Sequence, residues 1–283
     1  MSAITLQPLL ALRDRFVSLP YLTAMVCGVM TAYYGIALLL YPDFPNSLAL
    51  DPARILTGSI YRLLTYPLVH QGLVHLVFNV FALVPVLSSF EEETGTVGTA
   101  GALLLFTLIP AVLYVFSSFL LNAASVPTLG ASGWVFSLMA YFALKDQALR
   151  PSIYFTPTIH IPTWTTPIIT LLVIAVLLPG SSFLGHLFGL VVGYLYGLGY
   201  LNSARLPPLV INKLESHLAK YNLNKALPRF ISDESASKHR VVFDSSIDAG
   251  VPSGSTSPVL GTSGQAPVPS RSAFIGQGKP LGS

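Results

Sequence analysis

The chain has 283 residues, 52% of them hydrophobic and only 10% charged, with a mean hydropathy of +0.66. An ordinary soluble domain is about 25% charged, so this chain cannot cover a globular surface and much of it must face lipid. The net charge of +3 is small and not gathered in the hydrophobic region, which excludes the basic stripe of a nucleic-acid-binding protein, and the single cysteine, Cys27, excludes an internal disulfide framework or a multi-cysteine metal site.

In chain order, residues 16–42 carry no charge, and 21–41 is apolar enough to span a bilayer core, which takes about 20 residues. The stretch is too long for a signal-peptide core and has no small-residue cleavage site after it, so it reads as a retained first span. Residues 42–73 form a loop with four prolines and the charged Asp43, Asp51, Arg54 and Arg62. That is long for a connector, which predicts an ordered, functional segment. Five more spans are expected at 74–90, 97–119, 130–144, 165–179 and 183–201. Several are short or carry polar residues, so protein rather than lipid should surround them. Together they predict an all-α polytopic membrane protein built on a six-helix bundle.

Six spans put both termini on one side. Thirteen of the fifteen Lys and Arg residues fall on that side, against Arg54 and Arg62 on the other. By the positive-inside rule both termini are cytosolic and the 42–73 loop is lumenal or extracellular. Residues 1–202 then form the membrane domain and 203–283 a cytosolic tail. Within the tail, 209–222 carries Val210, Leu214, Leu218 and Tyr221 at helical spacing, with Lys213, Glu215 and Lys220 between them. This is an amphipathic helix for the membrane surface or a partner. From Ser245 onward the chain is rich in Ser, Gly and Pro, a composition that predicts disorder.

No acidic residue lies between Thr94 and Lys145, or between Arg150 and Asn202. Carboxylate chemistry within the membrane is thereby disfavoured. No H-E-x-x-H motif occurs, so a zinc protease is disfavoured too, and no metal or cofactor is expected.

Polar groups at membrane depth are costly and mark functional sites by default. His75 and Asn79 are four residues apart, on one face of the second span; alone, they could simply hold helices together. Ser132, in Gly130-Ala131-Ser132-Gly133, opens the fourth span, where free backbone N–H groups point outward; alone, it could be an ordinary helix cap. His186 begins a face of span six on which Gly185, Gly189, Gly193 and Gly197 recur every four residues, so that span can approach a neighbour closely. If that neighbour is span four, with Gly133 and Ser137 as its small residues, His186 reaches Ser132. Together the four suggest nucleophilic catalysis: a serine needs a base, a histidine has a suitable pKa, and further donors can hold an oxyanion. With no acidic third member nearby, a Ser–His dyad is implied. His70, at the exit of the first loop, is either structural or lines the site, and His160, in a Pro- and Thr-rich connector, has no assigned role.

The pattern resembles the rhomboid intramembrane serine proteases over about 61–200. It comprises Tyr61-Arg62, Leu63-Leu64-Thr65, His70, His75 with Asn79, the Gly130–Gly133 run, and Gly185-His186-Leu187-Phe188-Gly189 with its following glycines. The resemblance implies Ser132 as nucleophile, His186 as general base, and an oxyanion hole of His75, Asn79 and the Ser132 backbone N–H. It further implies a serine sunk below the membrane surface, a re-entrant loop at 120–131 and a membrane-embedded first loop. Two positions depart from the family pattern: Tyr61 stands in the usual Trp-Arg pair, and Phe136 replaces a tyrosine four residues after the serine.

At the end of the tail, Phe274-Ile275-Gly276-Gln277-Gly278-Lys279-Pro280-Leu281 resembles the box that binds the valosin-containing-protein type of AAA ATPase. Phe274 and Leu281 would be apolar anchors, and Gly276 and Gly278 would let an extended strand lie close to the partner. A rhomboid core with such a box (274–281) is similar to the fungal Golgi rhomboids implicated in processing a membrane-bound transcription factor precursor. The resemblance implies transmembrane protein substrates and a Golgi or ER–Golgi membrane. The alternative is a derlin-type pseudoprotease that hands membrane proteins to the ATPase; the Ser132–His186 pair argues against it. A transporter is disfavoured by the lack of paired broken helices, and an aspartyl intramembrane protease by the lack of membrane aspartates.

Overall fold

A computed structural model of the chain describes residues 18–39, 41–121, 126–154 and 156–238. The terminal box with Phe274, Gly276, Gly278 and Leu281 lies outside the described residues, as does the Ser-, Gly- and Pro-rich stretch from Ser245.

Six long helices carry the apolar segments. The first is α1 (Tyr21–Leu39). The loop after it folds into three short helices, α2 (Phe44–Leu48), α3 (Pro52–Leu56) and α4 (Arg62–Thr65), and a 3-10 turn over Tyr66–Leu68. Then come α5 (Leu73–Thr94), α6 (Thr96–Leu120), α7 (Ser132–Leu149), α8 (Thr166–Leu177) and α9 (Phe183–Gly197). Among the described residues, α1, α5 and α6 are each long and apolar enough to cross a membrane unaided. The other three have 18, 12 and 15 residues; α7 and α9 pack within the bundle, whereas α8, contrary to the expectation that protein surrounds the short spans, buries only Pro167 and Leu171 and leaves Leu172, Val176 and Leu177 exposed.

The helices alternate in direction. At one end, the tail end, the start of α1 meets the end of α5: Glu91 accepts hydrogen bonds from the backbone N–H groups of Leu22 and Thr23. Gly95 alone joins α5 to α6, at φ 74°, a left-handed conformation that favours glycine. The end of α7 is fixed to the same place by Lys145–Glu93 at 2.7 Å. The opposite end holds the first loop, residues 126–131 and the starts of α5, α7 and α9.

The core between the ends is built on Met30 from α1, Leu83, Leu87 and Phe90 from α5, Phe106 from α6, Leu138 and Tyr141 from α7, and Val192 and Tyr196 from α9. Four rings meet there, with Phe90 5.1 Å from Tyr141 and Phe106 5.0 Å from Tyr196. Edge-to-face contacts of this kind add to the burial of the rings.

Three further features differ from the sequence expectation. Span two runs on to Thr94, because Glu91 is fully buried and used internally rather than ending the helix. The connector containing His160 is an antiparallel hairpin, β1 (Ser152–Tyr154) with β2 (His160–Pro162), whose central pair is Ile153 and Ile161. His160 itself is exposed and lies over Tyr154 at 5.1 Å. The amphipathic segment is α10 (Pro208–Lys220), followed by the short α11 (Leu223–Ala226), with Asn222 at φ 54° breaking the helix between them.

The tail then turns back onto the bundle. The Ile231 carbonyl accepts from Thr96 N–H at 2.8 Å, and Ile231 N–H donates to the Thr96 hydroxyl at 3.0 Å. The Arg229 carbonyl accepts from Tyr21 N–H at 3.2 Å.

Candidate active site

Ser132 is the first residue of α7, so its N–H and that of Gly133 have no carbonyl four residues back within the helix. The chain reaches it through Gly130, at φ 109°. Only glycine suits this position on two counts: the backbone is left-handed, and a Cβ there would lie 2.8 Å from the His75 ring.

His186 sits in the first turn of α9, one residue beyond the N–H of Gly185 that is capped by the Ser182 hydroxyl. Its Nε2 lies 2.8 Å from Ser132 Oγ. The pair meets because α7 and α9 pack backbone against backbone. A Cβ built on Gly189 would fall 2.5 Å from the Gly133 carbonyl oxygen, and one on Gly193 closer still to that of Ser137. The Ser137 hydroxyl locks the crossing by donating to the Gly189 carbonyl at 2.7 Å. Phe136, one turn after the serine, lies against the His186 ring with centroids 4.8 Å apart and planes inclined by 32°.

His75 and Asn79 occupy one face of α5, one turn apart. The Asn79 amide donates to the His75 carbonyl at 2.8 Å, and its side-chain oxygen has no partner among the described residues. His75 is half-buried and packs against Gly130; among the described residues neither it nor Asn79 is hydrogen-bonded to Ser132 or His186. His70 is buried behind the serine loop. Its Nε2 accepts from the Ala131 N–H at 3.4 Å, and its ring stands edge-on to His75 at 5.1 Å. An acceptor at Nε2 puts the proton of a neutral His70 on Nδ1. No carboxylate of α7 or its partners is close: Glu93, bound to Lys145, lies about 20 Å along α7 from Ser132.

Beside Ser132 and His186 a small cleft opens, walled by Leu50, Tyr66, Pro110, Tyr114 and Thr128. Loop-to-loop bonds hold these walls. Leu50 and Thr128 exchange both backbone hydrogen bonds, at 2.8 and 3.0 Å, and Gly130 N–H donates to the Tyr66 carbonyl at 2.9 Å. The Tyr114 hydroxyl reaches the Val126 carbonyl at 2.8 Å, and that of Tyr66 the Thr107 carbonyl at 3.2 Å. The depth follows from α6. Pro110, level with the cleft, is ten residues before Leu120, so α6 rises roughly 15 Å beyond it. The serine therefore lies well inside the span of α6.

Residues 57–203 match the family model described as the rhomboid domain. The chain is similar to the rhomboid-type serine protease 2 of Neurospora crassa, at 42% identity over 65% of this chain and 66% of that one. It is also similar to the rhomboid-type serine protease 2 of Saccharomyces cerevisiae, at 39% over 70% and 75%. The rhomboid-type serine protease B of Aspergillus fumigatus is 36% identical over 78% of this chain and 80% of its own length. The chain belongs to the rhomboid family. It is by family an integral membrane protein and a serine endopeptidase.

In this rhomboid the Tyr61-Arg62 pair is a brace for the first loop. Arg62 is buried, and its guanidinium donates to the carbonyls of Asn46 and Ala49 at 2.9 and 2.7 Å. The Tyr61 hydroxyl takes the Ser47 carbonyl at 3.1 Å, and the Thr65 hydroxyl that of Leu48 at 2.8 Å. Four successive loop carbonyls are thus satisfied from one short segment, the pairing that backbone polar groups removed from water need. Sequence reasoning missed Leu50, Tyr66 and Tyr114 as cleft walls. The one signal available was a phenol within each apolar run, since a buried hydroxyl needs a partner.

Proposed function

We propose that this rhomboid is an active intramembrane serine protease working through a Ser132–His186 dyad. The observation that carries this is the 2.8 Å separation of Ser132 Oγ from His186 Nε2 beside a cleft below the end of α6. With the imidazole proton on Nδ1, Nε2 accepts the hydroxyl proton as Oγ attacks a scissile carbonyl. The negative charge that develops on the carbonyl oxygen is met by the Ser132 N–H, at the positive end of α7, and by donors from His75 and Asn79. The Asn79 amide spends one N–H on the His75 carbonyl, which leaves its second for an oxyanion that arrives with the substrate. His186 then gives its proton to the leaving amine, and water releases the acyl-enzyme.

The substrate would be a transmembrane or membrane-proximal segment, locally unwound because a helix buries its own carbonyls. By resemblance, one such substrate is a membrane-bound transcription factor precursor in a Golgi or ER–Golgi membrane. Residues 1–202 would be the catalytic domain, with both termini cytosolic, and 203–283 a tail whose terminal box at 274–281 recruits a valosin-containing-protein type AAA ATPase. The test is cleavage of a tagged single-span reporter in a null background by wild type, Ser132→Ala, His186→Ala and a truncation after Ser272. We expect both point variants to lose cutting and the truncation alone to lose capture of the ATPase. Equal behaviour of wild type and both point variants would replace the protease with the derlin-type adaptor.

A further inference from the structure

We infer that α10 is an in-plane membrane anchor that inserts its exposed apolar flank into an anionic lipid leaflet at the tail end of the bundle. Its direction and depth support this. The run Asn202–Lys220 lies at 94° to Phe183–Gly197, so a helix that follows a membrane-crossing one runs along the membrane plane. Leu206, just before α10, packs on Gly101, where a Cβ would meet it at 2.6 Å. Gly101 is five residues into α6, roughly 7.5 Å from its start at Thr96. That depth matches the 5–10 Å at which interfacial helices lie between headgroups and acyl chains.

At about 100° per residue, α10 has four distinct flanks. Ile211, Glu215 and Leu218 face the bundle; Ile211 is buried, and Glu215 accepts from Asp233 N–H at 2.9 Å. Roughly a quarter turn away, Val210, Leu214 and Tyr221 are 39%, 46% and 59% exposed. A further quarter turn brings Lys213 and Lys220, with the exposed Leu209 of the first turn beside them, and the last flank is Asn212, Ser216 and Ala219. An in-plane helix beside a bundle needs this order: protein on one side, acyl chains below, headgroups outward and water above. The only acidic residue of α10 is turned inward, so its outer charge is wholly basic, complementary to anionic headgroups. Which face of the cell that leaflet adjoins rests on the orientation proposed above; the insertion does not.

The test uses the full chain with Cys27→Ala, reconstituted in vesicles of phosphatidylcholine with and without phosphatidylserine. Nitroxide labels are placed singly at 210, 214 and 221, and at 212 and 216, and read by collision with oxygen and with a water-soluble nickel chelate. The first three should favour oxygen and the last two the chelate. Phosphatidylserine should deepen the label at 214, and Lys213→Glu with Lys220→Glu should reverse this by several-fold, since each lysine at an anionic surface is worth about fivefold in partitioning. Equal chelate access at all five positions would overturn the anchor. So would shielding of 210, 214 and 221 from both reagents, which would mean a second protein is seated there. Insensitivity to both phosphatidylserine and the charge reversal would overturn the anionic-lipid assignment.

Discussion

Ser132 and His186 are 54 positions apart, and each has an ordinary packing role available to it; their meaning comes from being 2.8 Å apart. At this scale the proposed roles separate by kinetics. Asn79→Ala should lower kcat by about 100- to 1000-fold, the usual cost of one oxyanion donor, with KM little changed, as measured on a purified reporter. Phe136→Ala should weaken cutting by exposing the His186 ring, whereas Phe136→Tyr should keep the stacking and the rate. Glu91 is the residue the sequence hid most completely. It accepts from Leu22 N–H, Thr23 N–H and the hydroxyls of Thr23 and Thr96, each at 2.8 Å. Within Glu91-Glu92-Glu93 nothing distinguishes it, because its partners come from α1 and α6. Removing one member of such a buried set strands the others, so Glu91→Ala should cost about 3 kcal/mol or more, read as a lower thermal midpoint in detergent.

Among elements, the α7–α9 crossing sets the distance on which the proposed chemistry depends. The glycine face of α9 was legible because a four-residue repeat needs no partner to be seen, and Ser137 and Gly133 supplied its complement. Gly189→Leu should force the helices apart, since its Cβ already has no room against Gly133. Cleavage should vanish while Leu87- and Phe106-centred packing keeps the protein folded by near-ultraviolet circular dichroism. The first loop was legible only as ordered. Its Leu50–Thr128 pairing joins segments 78 residues apart with no periodic signature. The β1–β2 hairpin was likewise invisible, being three residues per strand in a Pro- and Thr-rich run. Arg62→Ala would leave the Asn46 and Ala49 carbonyls without their donor. We expect a loosened first loop, seen as faster proteolysis between 44 and 60 and a lower rate of cutting.

For the whole molecule, the helices divide by length. Those that must cross alone are long, while α7 and α9 start deep, at the serine, and can be short. The six apolar helical segments and their order were readable from hydropathy, because lipid imposes one dominant rule on composition; among the described residues α1, α5 and α6 are each long enough to cross alone. The return of the tail was not, since Arg229 and Ile231 act through backbone atoms that any residue would supply. Deleting 229–238 should free the N–H groups of Tyr21 and Thr96 at the tail end and lower the thermal midpoint without moving Ser132 from His186. Truncation after Ser272 should leave both stability and reporter cleavage in proteoliposomes unchanged.

The proposed chemistry makes Ser132 a nucleophile activated by His186. A fluorophosphonate probe, followed by peptide mass mapping, reads this on the reacting atom itself. We expect a covalent adduct on Ser132 in wild type, and none in a folded His186→Ala protein. Equal labelling of Ser132 in both would remove His186 as its base, and labelling of another residue with Ser132 unmodified would remove Ser132 as the nucleophile.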